Sequence, residues 1–369
     1  MNNETRKETQ VLPKDVRYVG ADDLTLSLFE NQYPVQPIGV SYNSYLILDE
    51  KIAVMDSVDA RAADEWLAKL AHELDGRSPD YLVISHMEPD HSGSILRLAE
   101  KYQEMKLVGN TKTFTMLRQF FGAKAPTDDR LLEVGEGETL PLGAHTLHFM
   151  LAPMVHWPEV MVAYEETEKI LFSADAFGRF GSLGRNANAP WAPQARRYYY
   201  NIVGKYGAQV QALLKKASAL EIKTVCPLHG PVLTGEALGE ALRLYDLWSR
   251  WQSESPDDIL LAYASIHGNT ARAAELLKQK LEAKGARVTL CDLTTTEVSY
   301  AVANAFYCGK LVLACSTYDG GLFPPMEEFL SHLQAKGFRD RSVGLMENGS
   351  WAPAAARLMR ANGWLDSFY

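Results

Sequence analysis

The sequence has little cysteine, and its cysteines form no motif. Cys226, Cys291, Cys308 and Cys315 are scattered, and no Cys-x-x-Cys pair occurs among the 369 residues. We therefore expect neither a disulfide framework nor an iron–sulfur or rubredoxin-type module in this chain. The four thiols are expected to behave as small buried hydrophobic side chains.

Long apolar runs and an excess of positive charge are also missing. No run approaches membrane-spanning length, and the polar residues 1–8 lack the hydrophobic core of a signal peptide, which predicts a cytoplasmic protein without a membrane partner. The net charge of -9 argues against nucleic-acid binding, although a charged face could still steer a small redox partner. At 369 residues, the chain is long enough for two domains that each bury a core. The 47% of hydrophobic residues excludes a disordered or fibrous protein.

What the sequence does contain is a dense group of metal-ligand side chains behind an apolar run. Residues 81–84 predict a strand, and His86, Glu88, Asp90 and His91 follow it within six positions. A tight loop with proline and glycine can direct them into one cleft, whereas a helix would spread them over about a full turn. Imidazole with carboxylate favours iron, manganese or zinc, and a carboxylate can bridge two cations. The alternative is a solvated loop of coincidental composition.

Three further candidates lie where predicted strands end. They are His156, Asp175 and His229, which follow residues 145–151, 169–174 and 224–228. Strand ends are rigid, and a metal site needs rigid anchors to keep its bond lengths. Taken singly, either histidine could be a hydrogen-bonded structural residue and Asp175 a turn residue. Together with the loop, they complete a candidate set of seven.

This set resembles the metal site of the flavodiiron proteins, also called A-type flavoproteins. The pattern His86-x-Glu88-x-Asp90-His91, then His156, Asp175 and His229, is similar to that of their metallo-β-lactamase-like domain. Hydrolases of this fold usually have a second histidine at the position of Glu88. A glutamate adds a harder, negative ligand and shifts the preference from zinc toward iron. The resemblance covers nearly the whole chain and includes residues 42–47, 156–159, 172–178 and 227–230.

The resemblance implies a ligand set for each of two non-haem irons. The first iron would be held by His86, Glu88 and His156, and the second by Asp90, His91 and His229, with Asp175 bridging them. Two adjacent redox metals with open positions facing each other can hold O2 or two NO molecules. Each ligating imidazole is expected to donate its other ring proton to an acceptor that the sequence does not identify.

The second half of the chain points to a bound flavin. Residues 259–264 predict a buried parallel strand, and residues 265–270 open a predicted helix over residues 271–283. Hydroxyl, amide and backbone N–H groups at a helix N-terminus form an anion site, and Gly268 permits close approach of a phosphate. The loop has no Lys or Arg, which fits flavodoxins and speaks against an ATP-binding loop. A plain strand-to-helix turn capped by Ser265 or Asn269 explains it about as well.

Two later loops follow predicted strands at residues 311–315 and 343–346, and they carry aromatic and small side chains. Such loops at the carboxyl ends of parallel strands suit the stacking of a flat ring system, although either aromatic alone could be a surface residue. The resemblance to flavodoxin domains implies that the FMN phosphate contacts Ser265, Ile266, His267, Gly268, Asn269 and Thr270. The two later loops would contribute Ser316, Thr317, Tyr318, Asp319, Gly320, Asn348, Gly349, Ser350 and Trp351.

The predicted fold is α/β and α+β in two domains. Residues 1–252 are expected to form a metallo-β-lactamase-like αβ/βα sandwich, and residues 253–369 a doubly wound flavodoxin-like domain. In the first domain, strands are predicted at residues 40–48, 52–56, 82–85 and 146–151 and helices near residues 61–74 and 93–101. His72 lies on a predicted helix and His145 and His148 on a predicted strand, so these three are interpreted as structural.

The flavodoxin-like domain is expected to be shortened at its C-terminus. Its strands are predicted at residues 259–264, 287–291, 311–315 and 342–346, with a helix near residues 354–362 and only a short tail to Tyr369. A fifth strand and a last helix are therefore expected to be missing. In the flavodoxin order 2-1-3-4-5 that strand is an edge, so its loss would expose the fourth strand without removing an FMN loop.

The resemblance implies an oxidoreductase that reduces O2 to water, NO to N2O, or both. An external donor such as rubredoxin or a flavin reductase would reduce FMN, which passes electrons to the diiron centre. In this family the FMN of one subunit lies near the irons of another, which implies a head-to-tail homodimer or a dimer of dimers. Two alternatives stay open: a dinuclear zinc hydrolase with a regulatory flavodoxin domain, and an electron carrier or flavin-binding module with a structural metal site. Glu88 argues against the hydrolase.

Overall fold

The computed structural model describes residues 12–361, so the predictions for residues 1–11 and for the tail at residues 362–369 lie outside the described range. The chain divides into two compact units. Unit 1 is Met1–Ala195 with Gln209–Arg243, and unit 2 is Arg196–Ala208 with Leu244–Tyr369. In unit 2, Arg197 Nε donates to Ser299 Oγ at 2.7 Å, and its guanidinium lies over the Tyr300 ring. The domain boundary predicted at residues 252 and 253 stays a prediction.

The first part of unit 1 builds a six-stranded sheet and two separate antiparallel strand pairs. Its strands are β1 (Val16–Tyr18), β2 (Ala21–Asp23), β3 (Leu28–Phe29), β4 (Tyr33–Pro34), β5 (Val40–Tyr42), β6 (Tyr45–Ile47), β7 (Ala53–Met55), β8 (Tyr81–Val83), β9 (Lys106–Gly109) and β10 (Leu131–Glu133). The sheet has the order β1-β6-β7-β8-β9-β10, and β7 to β10 run parallel. The pairs β2–β5 and β3–β4 stand apart from it.

A second six-stranded sheet completes unit 1. Its strands are β11 (Thr139–Pro141), β12 (Thr146–Leu151), β13 (Met161–Glu165), β14 (Ile170–Phe172), β15 (Thr224–Cys226) and β16 (Leu233–Thr234), paired in that order. The α-helices among residues 12–249 are α1 (Ala63–Leu74), α2 (Pro89–Ser92), α3 (Ile95–Lys101), α4 (Thr111–Phe121), α5 (Trp191–Tyr198), α6 (Gly207–Ala217) and α7 (Gly235–Ser249). The helices predicted near residues 61–74 and 93–101 are confirmed by α1 and α3.

The two sheets of unit 1 enclose one apolar core. Tyr45 and Val83 of the first sheet are buried in the same cluster as Phe149, Ala163 and Phe172 of the second. Because each sheet presents its apolar face to the other, the layers pack as the predicted sandwich. Packing of this kind leaves the polar loops at the strand ends free to form a site.

Unit 2 contains the predicted doubly wound sheet. Its elements after α7 are β17 (Ser255–Ala264), α8 (Asn269–Glu282), β18 (Val288–Asp292), α9 (Val298–Tyr307), β19 (Cys308–Tyr318), β20 (Gly321–Leu322), α10 (Pro324–Ala335), β21 (Ser342–Asn348) and α11 (Ala355–Ala361). Four parallel strands have the order β18-β17-β19-β21, which is the flavodoxin order for its first four strands. No fifth parallel strand occurs among residues 12–361, and the residues of β21 are exposed or half-buried.

The cysteines and the apolar helices agree with the sequence-based expectations. All four cysteines are free and buried, as predicted. Across residues 12–361, no helix combines the length and the apolar character that crossing a lipid bilayer requires.

Candidate functional site

Strand ends of unit 1 bring the seven predicted ligands together. His86 and Glu88 lie in the ligand loop, defined here as residues 84–92 after β8, which also contains α2. His156 lies between β12 and β13, and Asp175 and His229 follow β14 and β15. All seven side chains are buried or nearly so.

One local prediction was wrong. Asp90 and His91 do not lie in an irregular loop but in α2, a single helical turn whose first residue is Pro89. Proline suits the first position of a helix because the N–H that it lacks would have no partner there. A turn of four residues is too short to spread the ligands around a helix, so the cluster still converges.

The first group of ligands comprises His86, Glu88 and His156. His156 Nε2 lies 3.0 Å from Glu88 Oε2 and 3.1 Å from Asp175 Oδ2. His86 Nε2 lies 3.4 Å from the same Asp175 oxygen and 3.6 Å from Glu88 Oε2. The ligand atoms of this group and of Asp175 are all within 4.8 Å of one another, close enough for one cation to contact all four residues.

The second group comprises Asp90, His91 and His229. The Nε2 atoms of His91 and His229 lie 3.0 Å apart, and each is 3.2 Å from Asp90 Oδ2. Asp175 Oδ1 lies 3.5 Å from His91 Nε2 and 3.9 Å from His229 Nε2. Asp175 therefore presents one carboxylate oxygen to each group.

The donor set fits metal cations. The buried polar atoms of the cluster are crowded against one another: Nε2 of His86, Oε2 of Glu88 and Oδ2 of Asp90 have other ligand atoms as ion-pair partners, and Oδ1 of Asp90 has no hydrogen-bond partner among the described residues. Buried polar atoms in proteins are almost always satisfied, so such a concentration indicates a site made for cations. Nitrogen and oxygen ligands without thiolate suit iron, manganese or zinc.

The expected second hydrogen bond of each imidazole is found only in part. His229 Nδ1 lies 2.7 Å from the carbonyl oxygen of Ser41, which is the arrangement that fixes the orientation of a ligating ring. For His86 and His91 the expectation stays a prediction, because Nδ1 of each ring has no protein acceptor among the described residues.

The carboxylates control the charge of the histidines. Burial alone lowers the pKa of His156, but hydrogen bonds to Asp175 and Glu88 reverse this and raise the pKa to about 10. The same competition holds the pKa of His86 well above its ordinary value. Burial raises the pKa of Asp175, but the charge of His86 and a hydrogen bond with His156 outweigh burial. The pKa of Asp175 is therefore held well below its ordinary range. The cluster thus demands positive charge, which protons or metals can supply.

Two residues that the sequence reasoning did not select touch the cluster. The Tyr42 ring is buried, with its centroid 6.4 Å from that of His91 and 6.2 Å from that of His229. Glu30 is an exposed residue whose carboxyl group shares a hydrogen bond with Glu88, and partial burial of that group together with the Glu88 charge raises its pKa to about 8. Glu30 lies in the β3–β4 hairpin, and no local pattern links it to the ligand loop.

The histidines interpreted as structural have partners outside the cluster. His145 Nδ1 lies 3.0 Å from Glu165 Oε1, and His148 Nε2 lies 2.7 Å from Glu166 Oε2. His72 is on α1 with its side chain 85% exposed. None of the three is in a group of potential metal ligands among residues 12–361.

In unit 2, the predicted FMN residues lie at the carboxyl ends of β17, β19 and β21 or directly after them, with Ser316, Thr317 and Tyr318 still inside β19 and Asn348 inside β21. Thr270 connects them, because its Oγ1 lies 2.7 Å from Ser316 Oγ and accepts a hydrogen bond from Asn348 Nδ2 at 3.3 Å. Thr270 and Ser316 are buried, whereas Ser265 is half-buried and its Oγ has no partner among the described residues. Hydrogen bonds thus connect the three segments, and the buried Ser265 hydroxyl beside them has no partner among the described residues.

Exposed side chains surround these three segments. Tyr318 is 49% exposed and Trp351 is 83% exposed, which leaves ring faces available for stacking. Of the other predicted FMN residues, Thr317 and Gly349 are half-buried, and the exposed ones are Ile266, His267, Gly268, Asn269, Asp319, Gly320, Asn348 and Ser350. The loop at residues 265–270 contains no Lys or Arg. A cationic side chain that the sequence reasoning missed lies beside it, because Arg272 Nη2 donates to Asn269 Oδ1.

Fold and site together define a class: a metallo-β-lactamase-like sandwich with two adjacent groups of nitrogen and oxygen ligands, in one chain with a flavodoxin-like sheet. Comparison with known proteins agrees. The family model described as ODP family beta lactamase matches residues 40–230. The chain belongs to this family, and its resemblance to the flavodiiron proteins is confirmed.

Individual relatives extend the match to both units. Rubredoxin-oxygen oxidoreductase of Megalodesulfovibrio gigas is 27% identical over 92% of this chain and 85% of its own length. Anaerobic nitric oxide reductase flavorubredoxin of Aliivibrio salmonicida is 28% identical over 92% of this chain and 69% of its own. The crystal structure of the flavodiiron protein from Giardia intestinalis superposes with a TM-score of 0.89 at 26% identity, over 97% of this chain and 87% of that one. The chain spans about half the length of the diflavin flavoproteins that it also matches.

The raised pKa of His156 predicts how the stability of the metal-free protein depends on pH. A histidine whose folded pKa is raised to about 10 contributes stability that is complete below its unfolded pKa of roughly 6.5 and is lost as pH rises through the folded value. We expect the urea midpoint of metal-free protein to fall between pH 7 and pH 10, and to fall less in His156→Gln. His72→Gln, at an exposed histidine, is the control. Equal pH slopes in wild type and His156→Gln would contradict this.

Proposed function

We propose that the chain is a flavodiiron oxidoreductase that reduces O2 to water, NO to N2O, or both, with electrons passed from an external donor through FMN to a pair of non-haem irons. The geometry of Asp175 carries this proposal, since its two oxygens face two separate groups of ligands. The similarity to relatives named as an oxygen oxidoreductase and a nitric oxide reductase supports both gases as substrates.

In this proposal each group of ligands holds one iron. His86, Glu88 and His156 would hold the first iron, Asp90, His91 and His229 would hold the second, and Asp175 would be shared by both. When bound, two adjacent irons supply electrons and binding positions for a small gas molecule. The mixture of imidazole and carboxylate suits a metal that alternates between ferrous and ferric states, because hard oxygen ligands stabilise the higher charge.

The protein around the ligands orients them and limits access of water. Ser85, at the start of the ligand loop, donates its backbone N–H to Asp56 Oδ1 at 2.8 Å. Ser41 fixes the His229 ring through its carbonyl oxygen. Both gas reductions consume protons, and Glu30 places a carboxyl group beside Glu88, where burial and the Glu88 charge raise its pKa to about 8 in the metal-free protein.

FMN is proposed to bind at the three loops of unit 2. The loop at residues 265–270, whose residues 266–269 are exposed, and the start of α8 would offer backbone N–H groups and the unpartnered Ser265 hydroxyl to the phosphate. Tyr318 and Trp351 offer exposed ring faces to the isoalloxazine. The residues of the two later loops named above are proposed to line the ring.

The assembly and the electron donor are proposed by analogy with the family. A head-to-tail homodimer, or a dimer of such dimers, brings the FMN of one subunit to the irons of another. Rubredoxin or a flavin reductase is the proposed class of donor, and the name rubredoxin-oxygen oxidoreductase of one relative supports rubredoxin. A cytoplasmic location stays a prediction.

Anaerobic reconstitution tests the proposed function as a whole. Protein loaded with ferrous iron and FMN, and supplied with excess reduced donor, is expected to bind two irons and one flavin per chain and to consume O2, NO or both. Gas consumption is measured electrochemically, and the cofactors by metal analysis and absorbance. Fully loaded protein that consumes neither gas would refute the proposal. Zinc without iron in protein from its native host would favour the hydrolase alternative.

Removing a ligand from the site should abolish both reactions together. We expect Asp175→Ala and His91→Ala to lower iron affinity by at least ~10-fold and to remove turnover with either gas, since a bridging or terminal ligand is lost. His72→Ala is the matched control, because that histidine is exposed and outside the cluster. Full activity in either ligand variant would show that the flavin alone performs the reaction.

The head-to-tail assembly predicts that activity depends on association. Sedimentation velocity at several concentrations, combined with turnover assays at the same concentrations, should show activity falling in parallel with the dimer fraction. A monomer with full turnover would contradict the proposed transfer between subunits.

A further inference from the structure

We propose that Glu159 is a positioning residue that ties together the two loops supplying the first group of ligands. Glu159 is not itself among the seven predicted ligands. The inference rests on the diiron site proposed above and deepens it, because it assigns control of one iron position to a residue outside the ligand set.

The side chain of Glu159 reaches into the ligand loop. Glu159 is 1% exposed and lies three residues after His156, between β12 and β13. Its Oε1 accepts the backbone N–H of Met87 at 2.8 Å, and Met87 is the buried residue between His86 and Glu88. Ser92 Oγ donates to the carbonyl oxygen of Met87 at 2.8 Å. Both backbone groups of Met87 are therefore fixed, and only one of these two bonds comes from outside the ligand loop.

The backbone of Glu159 is anchored as well. Its carbonyl oxygen accepts a hydrogen bond from Asn110 Nδ2 at 2.6 Å. Asn110 is the N-cap of α4, and its Oδ1 accepts the backbone N–H groups of Lys112 and Thr113. Glu159 is thus held by a capped helix on one side and holds the ligand loop on the other. Glu159 therefore links the ligand loop to the loop of His156 through a side chain, beside a backbone link in which the Met161 N–H donates to the Ser85 carbonyl oxygen at 2.9 Å.

The second group has different anchors. Ser57 Oγ donates to the carbonyl oxygen of His91, and Ser41 accepts from the His229 ring. Neither bond involves Glu159. Loss of the Glu159 side chain should therefore loosen the first group and leave most of the second in place.

The choice of glutamate at this position also needs a reason. Glu159 Oε2 is buried without a hydrogen-bond partner among the described residues. A buried, half-satisfied carboxyl group is unfavourable for folding, and an apolar side chain would fill the same space more favourably. A role at the ligand loop explains why an acceptor is present there.

The test compares substitutions at Glu159 with matched substitutions at Glu165. Glu165 is also fully buried in unit 1 and also accepts backbone N–H groups, from Thr167 at 2.9 Å and Glu168 at 2.7 Å. These two bonds stabilise the turn after β13, which contains none of the seven ligands. Each purified variant is reconstituted anaerobically with ferrous iron and FMN. Iron per chain is measured by elemental mass spectrometry. The mixed-valent diiron signal is measured by electron paramagnetic resonance, and the folded state of each variant is checked by its thermal unfolding.

We expect E159A to bind about half the iron of the wild type and to lose the mixed-valent signal. E159Q keeps an oxygen that can accept the Met87 N–H and should retain both iron and signal. E159D keeps the carboxyl group but is shorter by one methylene, so it should lose iron at the first position even if E159A does not fold. E165A should lower the melting temperature while keeping full iron and signal.

Full iron and an unchanged signal in E159A, or in a folded E159D if E159A does not fold, would overturn the proposal. So would failure of E159Q, because a positioning role requires only the acceptor and not the charge. An equal loss of iron in E159A and E165A would reduce the effect to general destabilisation and would also overturn it. Wild-type protein that binds a single iron would instead refute the diiron site itself.

Discussion

Burial of three carboxylates and four imidazoles in mutual contact is the constraint on which the site depends. Glu88, Asp90 and Asp175 lose their hydration, and in the metal-free protein only protons on neighbouring histidines can offset their charge. Such a cluster is costly to bury unless cations are bound. The strand ends of the sandwich provide the rigidity that holds these groups together despite their repulsion.

The two units contribute different physical properties. Unit 1 offers a buried cluster of charged ligands that excludes water, which suits chemistry on a small gas molecule. Unit 2 offers an exposed polar surface edged by Tyr318 and Trp351, which suits a cofactor that must exchange electrons with an outside donor. A protein that reduces a gas with electrons from another protein needs both properties.

Much of this could be predicted from the sequence, because ligand residues after apolar strands leave a dense local signal. The loop from His86 to His91 is readable for that reason, and so is the strand-to-helix loop before α8. The rest depends on packing between distant segments. No local pattern reveals the contacts of Glu159 and Glu30 or the assignment of the Arg196–Ala208 segment to unit 2, since the partners lie far away in the sequence. The helical turn of α2 was missed because four residues are too few to show a helical period.

The proposed centre has two irons that share Asp175 as a ligand. Mössbauer spectroscopy of the iron-loaded protein is the sharpest test of this sharing, because two irons with a bridging ligand are magnetically coupled. We expect a pair of coupled iron sites in equal amounts. Two magnetically independent irons, or a single type of isolated iron, would contradict it.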